Sequence, residues 1–301
     1  MTEIPMTEPD ELRLRAVLPA PPAAVHAALT DAAALRVWLA EHAEVALPDR
    51  YEFWGRYTPD GAEPHQRLLH ADARTIRFAW TVDGVESTVS FELAEDEGGT
   101  LLTLSHSDLP GFEEVLADTA GARGALQTFW SLAIANLADY LAGRDLTPKC
   151  DFTSAELRDS VVIDAAPEAV FDSLTQPEQF CTWSGANVDI EPYVGGRFAM
   201  GGFELDPGGA KFVEFEPGRK ATLRFADGIT QGWELEGSDG KTRLTFVQSG
   251  FDVDNPPYPG WAGWLAGVAE LRRYHEVPRW RTIWRQIHAP GVPAEMLSTD
   301  A

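Results

Sequence analysis

The chain of 301 residues is 44% hydrophobic, 10% aromatic and 24% charged, which excludes an intrinsically disordered chain. Its formal net charge of −23 repels polyanions, so nucleic acids and anionic membrane surfaces are disfavoured as partners. The sequence has neither an apolar N-terminal run nor a stretch of about 18 apolar residues. Together with the use of only two cysteines, Cys150 and Cys181, these features predict a cytoplasmic protein.

The two halves of the sequence repeat the same signals. Residues of the first half recur 145 positions later, as Pro22, Val25, Leu29, Thr30 and Trp38, then Pro167, Val170, Leu174, Thr175 and Trp183. A later group recurs 142 positions on, as Phe91, Leu93, Thr103 and Ser107, then Trp233, Leu235, Thr245 and Ser249. Such repetition predicts a duplicated domain. We predict a first domain over 1–145, a connector over 146–156 and a second domain over 157–301 with a C-terminal extension.

Each copy begins with a strand and two short helices. Alternating apolar residues predict the strand, and Pro22 or Pro167 suits the first position of the helix that follows. In the second copy, Thr175 and Glu178 have capping-box spacing, which predicts the start of the second helix.

Strands separated by hairpin signals come next. In the first copy they are predicted at Arg50–Trp54, Thr75–Thr81, Val85–Leu93 and Leu101–His106. In the second copy they are predicted at Arg197–Phe203, Lys211–Phe215, Ala221–Phe225, Gly232–Glu236 and Arg243–Gln248. The dipeptides Asp83-Gly84 and Asp239-Gly240 indicate tight hairpins, so the sheet of each copy is predicted to be antiparallel.

Both copies end with a longer amphipathic helix. Its apolar stripe includes Trp130 and Leu137 in the first copy, and Trp264 and Val268 in the second. These elements bury their apolar faces together only if the sheet curls around the long helix. The predicted fold class is α+β, repeated twice.

The second copy carries the fuller pattern of a known family. Its motifs are Pro167, Glu168, Val170 and Phe171 at the first helix, Gly195-Gly196-Arg197-Phe198 at a strand, and residues 242–251 before the last helix. On these residues the chain resembles two tandem START-like (SRPBCC, helix-grip) domains of the group named after the activator of heat-shock protein 90 ATPase. The first copy departs from the pattern at Asp49-Arg50, in place of the paired glycines, and by an insertion over Leu109–Ala125.

The resemblance covers roughly residues 12–142 and 157–276. It implies that each copy is a curved antiparallel sheet wrapped around a long C-terminal helix, with two short helices. It does not fix the function, because this fold hosts ligand carriers, cyclases, hydrolases and chaperone regulators.

The sequence contains no motif for a metal or a cofactor. None of the seven histidines is paired at zinc-helix spacing, and no phosphate-binding loop or nucleophile elbow occurs. Asp252, Asp254 and Asn255 resemble the start of a calcium loop, but Pro257 stands where that loop needs glycine. We therefore expect neither a metal nor a cofactor.

His106 is the most informative polar residue, because it shares a strand face with Leu102 and Leu104 that should point at the long helix. Gln248 is its counterpart in the second copy. A polar group on such a face is either a hydrogen-bonded core residue or a ligand contact.

Aromatic and apolar residues predicted on the inner faces would line a ligand cavity in each copy. With the two polar residues, the candidate ligand-binding set is Trp38, Trp80, Phe91, Leu104, His106, Trp130, Trp183, Phe198, Met200, Phe225, Trp233, Phe246, Gln248, Trp264 and Val268.

Three functions remain open at this point. The favoured one is binding of a small hydrophobic ligand between the sheet and the long helix, without established chemistry. The first alternative is an enzyme of the cyclase or hydrolase type, for which His106 is the one catalytic candidate. The second alternative, a regulator that interacts with a chaperone, follows from the family resemblance only.

Overall fold

The computed structural model describes residues 11–117, 121–293 and 296. The chain divides into two compact units. The first consists of Met1–Asp145 with Ile283–Val292, and the second of Leu146–Thr282 with Pro293–Ala301. Each unit combines antiparallel strands with two short helices and one long helix. The predicted α+β class and its duplication are therefore confirmed.

The first unit contains eight strands and four α-helices among its described residues. Its strands are β1 (Glu11–Leu18), β2 (His42–Ala46), β3 (Arg50–Trp54), β4 (Gln66–Ala71), β5 (Thr75–Val82), β6 (Val85–Asp96), β7 (Gly99–Ser107) and, from the end of the chain, β15 (Trp284–His288). Its helices are α1 (Pro22–Thr30), α2 (Ala32–Trp38), α3 (Phe112–Ala117) and α4 (Leu126–Leu141). A 3-10 helix over Ala122–Ala125 precedes α4.

Seven of these strands lie between residues 11 and 107, and the eighth, β15, comes from the end of the chain. Six of them form one antiparallel sheet in the order β15-β1-β7-β6-β5-β4, while β2 and β3 form a separate hairpin. The side chain of Gln66 on β4 connects the two, because its Oε1 accepts a hydrogen bond from the backbone N–H of Phe53 on β3 at 3.2 Å.

The second unit repeats this order of elements. Its strands are β8 (Leu157–Ile163), β9 (Val188–Ile190), β10 (Arg197–Met200), β11 (Ala210–Glu216), β12 (Lys220–Arg224), β13 (Thr230–Ser238) and β14 (Lys241–Ser249). Its helices are α5 (Pro167–Thr175), α6 (Pro177–Ser184) and α7 (Tyr258–Glu276). The strands form one antiparallel sheet in the order β8-β14-β13-β12-β11-β10-β9.

Side-chain alternation along the strands places the core between each sheet and its long helix. On β1, Leu12, Leu14, Ala16 and Leu18 are all buried while the residues between them are not. The hairpins follow the sequence signals, since Asp83-Gly84 and Asp239-Gly240 both adopt the positive φ angles of the tight turn that favours aspartate and glycine.

The helix starts differ from the predicted capping box. The hydroxyl of Thr175 donates to the carbonyl of Phe171 at 2.8 Å, so Thr175 ends α5 and does not cap α6. In the first unit the N-cap of α2 is Asp31, whose Oδ1 accepts from the backbone N–H of Ala33 at 2.6 Å.

The end of the chain differs from the predicted domain boundary. The predicted second domain included all of 157–301, but Ile283–Val292 groups with the first unit. Within that segment β15 pairs antiparallel with β1, opposite Arg13 to Ala16. The physical reason is that the outer edge of β1 presents unpaired backbone groups, which a further strand can satisfy.

The predicted connector contains no helix or strand over residues 146–156. It is nevertheless partly buried, because Cys150 is only 2% exposed. Burial raises the pKa of the Cys150 thiol, so this thiol stays protonated and unreactive at neutral pH. Among the described residues, no helix is both long enough and apolar enough to cross a bilayer.

Candidate functional site

The interior of the first unit is organised around His106 on β7. The indole Nε1 of Trp130 donates to His106 Nδ1 at 2.9 Å, and His106 Nε2 lies 2.8 Å from Ser87 Oγ. The Ser87 hydroxyl in turn donates to the carbonyl of Trp80 at 3.0 Å. Since Nδ1 accepts and the Ser87 proton is already used, the imidazole is the Nε2–H tautomer that donates to Ser87. Both ring nitrogens are therefore occupied.

Burial keeps this imidazole neutral. His106 is completely buried, and desolvation, with a smaller contribution from Arg123, lowers its pKa to about 3. A neutral histidine with both nitrogens hydrogen-bonded inside the protein has no lone pair to take a substrate proton. The geometry thus favours the hydrogen-bonded core residue over the general acid or base.

Aromatic rings close the space around His106. The Trp80 ring is stacked on the imidazole at a centroid distance of 5.9 Å, and Phe129 and Phe91 contact the Trp130 ring at 4.8 and 5.5 Å. The candidate residues of this unit are each at most 1% exposed, namely Trp38, Trp80, Phe91, Leu104, His106 and Trp130. The side chains of the first unit therefore pack into a closed aromatic core.

The second unit is built on the same frame. Trp183 Nε1 donates to the carbonyl of Ser173 at 2.8 Å, just as Trp38 Nε1 donates to the carbonyl of Ala28 at 3.1 Å. These pairs keep the offset of 145 seen in the sequence. The long helices make equivalent ring contacts at other offsets, because Trp264 lies 5.5 Å from the Trp233 ring and Trp130 lies 5.5 Å from the Phe91 ring.

The long helix of the second unit carries smaller residues at three positions where α4 has buried apolar ones. The two helices are compared by aligning Trp130 of α4 with Trp264 of α7 in the sequence. In this alignment the buried Leu126, Phe129 and Leu132 of α4 correspond to Gly260, Gly263 and Ala266 of α7. Trp264 is half-buried, whereas Trp130 is completely buried. Part of the lost volume is restored by Trp261, which stands in the place of Gln127 and contacts the Phe246 ring at 5.2 Å.

Two buried glutamines lie on the sheet of the second unit, and one of them, Gln248, is next to Gly260 of the helix. Gln231 on β13 pairs with Gln248 on β14, and the two are 0% and 7% exposed. The Oε1 atoms of both side chains are buried and have no hydrogen-bond partner among the described residues. A Cβ placed on Gly260 would meet one heavy atom outside its own helix within 4 Å, Nε2 of Gln248 at 3.8 Å. Gly260 is exposed, so Gln248 lies beside an opening to solvent where the first unit has a buried leucine.

The remaining candidate residues of the second unit lie at different depths. Those that are buried on the inner side are Trp183, Phe198, Trp233, Phe246 and Val268. Phe225 and Trp264 are half-buried. Met200 differs from the expectation that it shares an inner face with Phe198, because it is 40% exposed. The strand ends at Met200, and Gly201, with φ of +78°, turns the chain there.

Four residues that matter for these interiors were not singled out from the sequence. Ser87 and Gln231 each follow the period-2 alternation of a buried strand face, which was a usable signal. The importance of Gly260 can be recognised in the sequence only by aligning it with Leu126 of the other copy. Asp159 occupies the place of Leu14 on the inner face of the first strand, opposite Phe246.

Replacing Asp159 with asparagine is expected to stabilise the second unit above pH 6. Desolvation and the neighbouring Asp151 raise the pKa of Asp159 to about 6, so its contribution to stability is present below the ordinary pKa and is lost as the pH rises through about 6. The carboxyl is partly exposed, and after discounting for solvent screening we expect a gain of about 1 kcal/mol at pH 8. Urea unfolding at pH 8 and pH 4 measures it, and an equal gain at both values would contradict the assignment.

Within the described residues, no group of three or more His, Cys, Asp or Glu side chains is arranged to hold a metal ion. What the second unit offers is a largely apolar inner sheet face that carries two amide groups and, on β8, the Asp159 carboxyl. Such a surface can bind an uncharged molecule and orient it through hydrogen bonds.

Comparison with known proteins gives a family match and several structural relatives, but no match among curated proteins. DynU16, a protein in the dynemicin biosynthetic locus, aligns with 18% identity over 89% of this chain and 100% of its own, with a TM-score of 0.38. CalU16 from Micromonospora echinospora has 23% identity over 48% of this chain and 81% of its own, with a TM-score of 0.36. An AHSA1-like protein from Rhizobium etli has 28% identity over 49% and 91%, with a TM-score of 0.36.

The model of the family described as activator of Hsp90 ATPase homolog 1-like protein matches two separate segments, residues 19–142 and 164–276. Each segment spans the two short helices, most of the sheet and the long helix of one unit. Because these segments cover most of the chain, the protein belongs to the family of activator of Hsp90 ATPase homolog 1-like proteins and carries two copies of its START-like, helix-grip domain.

Proposed function

We propose that the protein binds a small, uncharged and mostly apolar molecule in its second unit, between the sheet and α7. The observation that carries this proposal is Gly260. It stands where the first unit has the buried Leu126 but is itself exposed, so the Gln248 amide lies beside an opening at the start of α7. The sequence alone suggested a cavity in each copy, and the packing favours the second.

Packing energetics support this choice. Protein interiors are close-packed, and removing large side chains from a core costs stability unless something else fills the volume. The first unit fills the region with Leu126, Phe129 and Trp130. The second unit keeps the frame and gives up the first two of these side chains, which is the arrangement expected where a ligand supplies the missing contacts.

The other two functions have less support. An enzyme based on His106 would need a free ring nitrogen, and both are hydrogen-bonded in a closed core. A chaperone-interacting regulator rests on the family description alone. Binding without chemistry is therefore the proposed activity.

The substitution Gly260→Leu tests the proposal by restoring the residue of the first unit. We expect it to weaken binding of the neutral fluorescent probe Nile red at least tenfold, because the leucine side chain would occupy the open space beside Gln248. Thermal stability should be unchanged or higher, since glycine is unfavourable in a helix by about 1 kcal/mol. Probe binding is measured by fluorescence titration of the full chain.

Gly260→Ala is the matched control, because it brings the same gain in helix propensity while its Cβ makes only an ordinary contact at 3.8 Å. It should bind the probe within about twofold of the original protein. Equal binding by Gly260→Leu and the original protein would place the ligand elsewhere. Native mass spectrometry of the purified chain, which detects molecules that co-purify, should show a bound species that Gly260→Leu lacks.

A further inference from the structure

From the two buried amides we infer that the ligand of the second unit carries two hydrogen-bond donors on neighbouring atoms of an otherwise apolar, uncharged ring system. This inference rests on the proposed function and adds the chemical class of the ligand. The donors would be two hydroxyl groups, received by Gln231 Oε1 and Gln248 Oε1.

The two acceptors are placed as a pair. Gln231 and Gln248 are directly opposite each other on adjacent antiparallel strands, and both side chains point to the buried face of the sheet. Residues in such register have Cβ atoms about 5 Å apart, which is the span of two neighbouring substituents on a ring together with their hydrogen bonds.

Both amide oxygens are without a partner, which is costly inside a protein. A buried acceptor left unpaired destabilises the folded protein, so two of them side by side form a site that gains from a donor. The Nε2 of Gln231 is already directed to the carbonyl of Gly232 at 3.4 Å, which leaves its oxygen to face elsewhere. An acceptor-only ligand would leave both oxygens unpaired.

The surroundings define the rest of the ligand. The exposed Gly260 leaves an entrance beside Gln248, and the rings of Trp233 and Trp264 contact each other on the same sheet and helix. Rings of this kind favour a flat, apolar partner. A charged ligand would lose its hydration against these rings and amides, which carry no counter-charge.

Other unpaired polar atoms do not form such a site. The hydroxyl of Tyr51 in the first unit is also buried without a partner, and burial raises its pKa. It is a single group between the rings of Phe53 and Phe78, at 6.2 and 5.2 Å, and no glycine opens space beside it in the described contacts. The pairing of two acceptors beside open space is what distinguishes Gln231 and Gln248.

The test uses three probes of similar size on the full chain: 2,3-dihydroxynaphthalene, 2-naphthol and 2-methylnaphthalene. Their dissociation constants are measured by calorimetry or fluorescence for the original protein, Gln231→Leu and Gln248→Leu. We expect each substitution to weaken the diol about tenfold, to weaken 2-naphthol less, and to leave 2-methylnaphthalene unchanged or tighter. The control Gln286→Leu, an exposed amide on β15, should change none of the three.

The outcomes separate the inference from the proposed function. One outcome is that 2-methylnaphthalene binds and the preference for the diol is the same in all variants. The amides then do not hydrogen-bond the ligand, and the inference is overturned. If none of the probes binds the original protein, the proposed function fails as well. Gln231→Met and Gln248→Met keep the length of the side chain without its amide, and they replace any leucine variant that does not fold.

Discussion

Replacing His106 with leucine is expected to lower the free energy of unfolding of the first unit by about 1–3 kcal/mol. The substitution removes the acceptor of the Trp130 indole N–H, which then stays buried without a partner at 0% exposure. It also removes the stacked contact with Trp80. For a domain of about 150 residues, the expected fall in melting temperature is roughly 3 °C for each kcal/mol. Denaturant unfolding and calorimetry measure both quantities.

The double variant His106→Leu with Trp130→Phe distinguishes a lost hydrogen bond from lost packing. Phenylalanine carries no N–H, so the double variant should be less destabilised than the sum of its two single variants. Ligand binding by the second unit should be unchanged in all of them. Strict additivity of the two losses, or a loss of ligand binding with His106→Leu, would contradict the structural role assigned to this histidine.

The repeated fold was predictable because its signals are local. The offset of 145 between Trp38 and Trp183 reflects a shared corner in which each indole N–H binds a carbonyl ten residues earlier. The hairpins at Asp83-Gly84 and Asp239-Gly240 depend on backbone conformations that those residue types favour by themselves. Period-2 alternation then fixes which residues of each strand face the core.

The features that escaped prediction depend on partners distant in the sequence. Strand β15 is a strand because the edge of β1, about 270 residues earlier, accepts it. The short strand at Val188–Ile190 likewise exists through pairing with β10. Single-sequence patterns carry no record of such pairings, because each segment alone is too short for a distinctive period.

The two candidate polar residues show the same limit. The alternation on β7 and β14 predicts that His106 and Gln248 point inward, and both are buried. What decides their roles is the set of groups opposite them. His106 meets Ser87 and Trp130, whereas Gln248 meets Gln231 and Gly260. Those groups come from other strands and from the long helix, so they are known only once the register is known.

The second large effect expected in the first unit is a loss of stability in acid that depends on His106. The folded protein holds the pKa of this imidazole at about 3, while an unfolded chain protonates histidine near 6.5. Between these values the unfolded state binds a proton that the folded state does not. The contribution of the neutral imidazole to stability is therefore complete above pH 6.5 and is lost progressively as the pH falls toward 3.

The size of this effect follows from the same pKa values. Linkage gives a loss of about 2 kcal/mol between pH 7.5 and pH 5, before most carboxylates have begun to titrate. Other groups also titrate over this range, so the quantity to measure is the difference in unfolding free energy between the original protein and His106→Gln, which cannot titrate. On going from pH 7.5 to pH 5, the original protein should lose about 2 kcal/mol of unfolding free energy relative to His106→Gln.

A direct titration provides the control for this prediction. The NMR shift of the His106 imidazole should stay constant from pH 8 down to pH 4.5, because the network with Trp130 and Ser87 holds the ring neutral. A His106 shift that moves within this range, or a free-energy difference that is constant with pH, would show that the imidazole protonates without cost, and that its burial and hydrogen bonds do not control its charge.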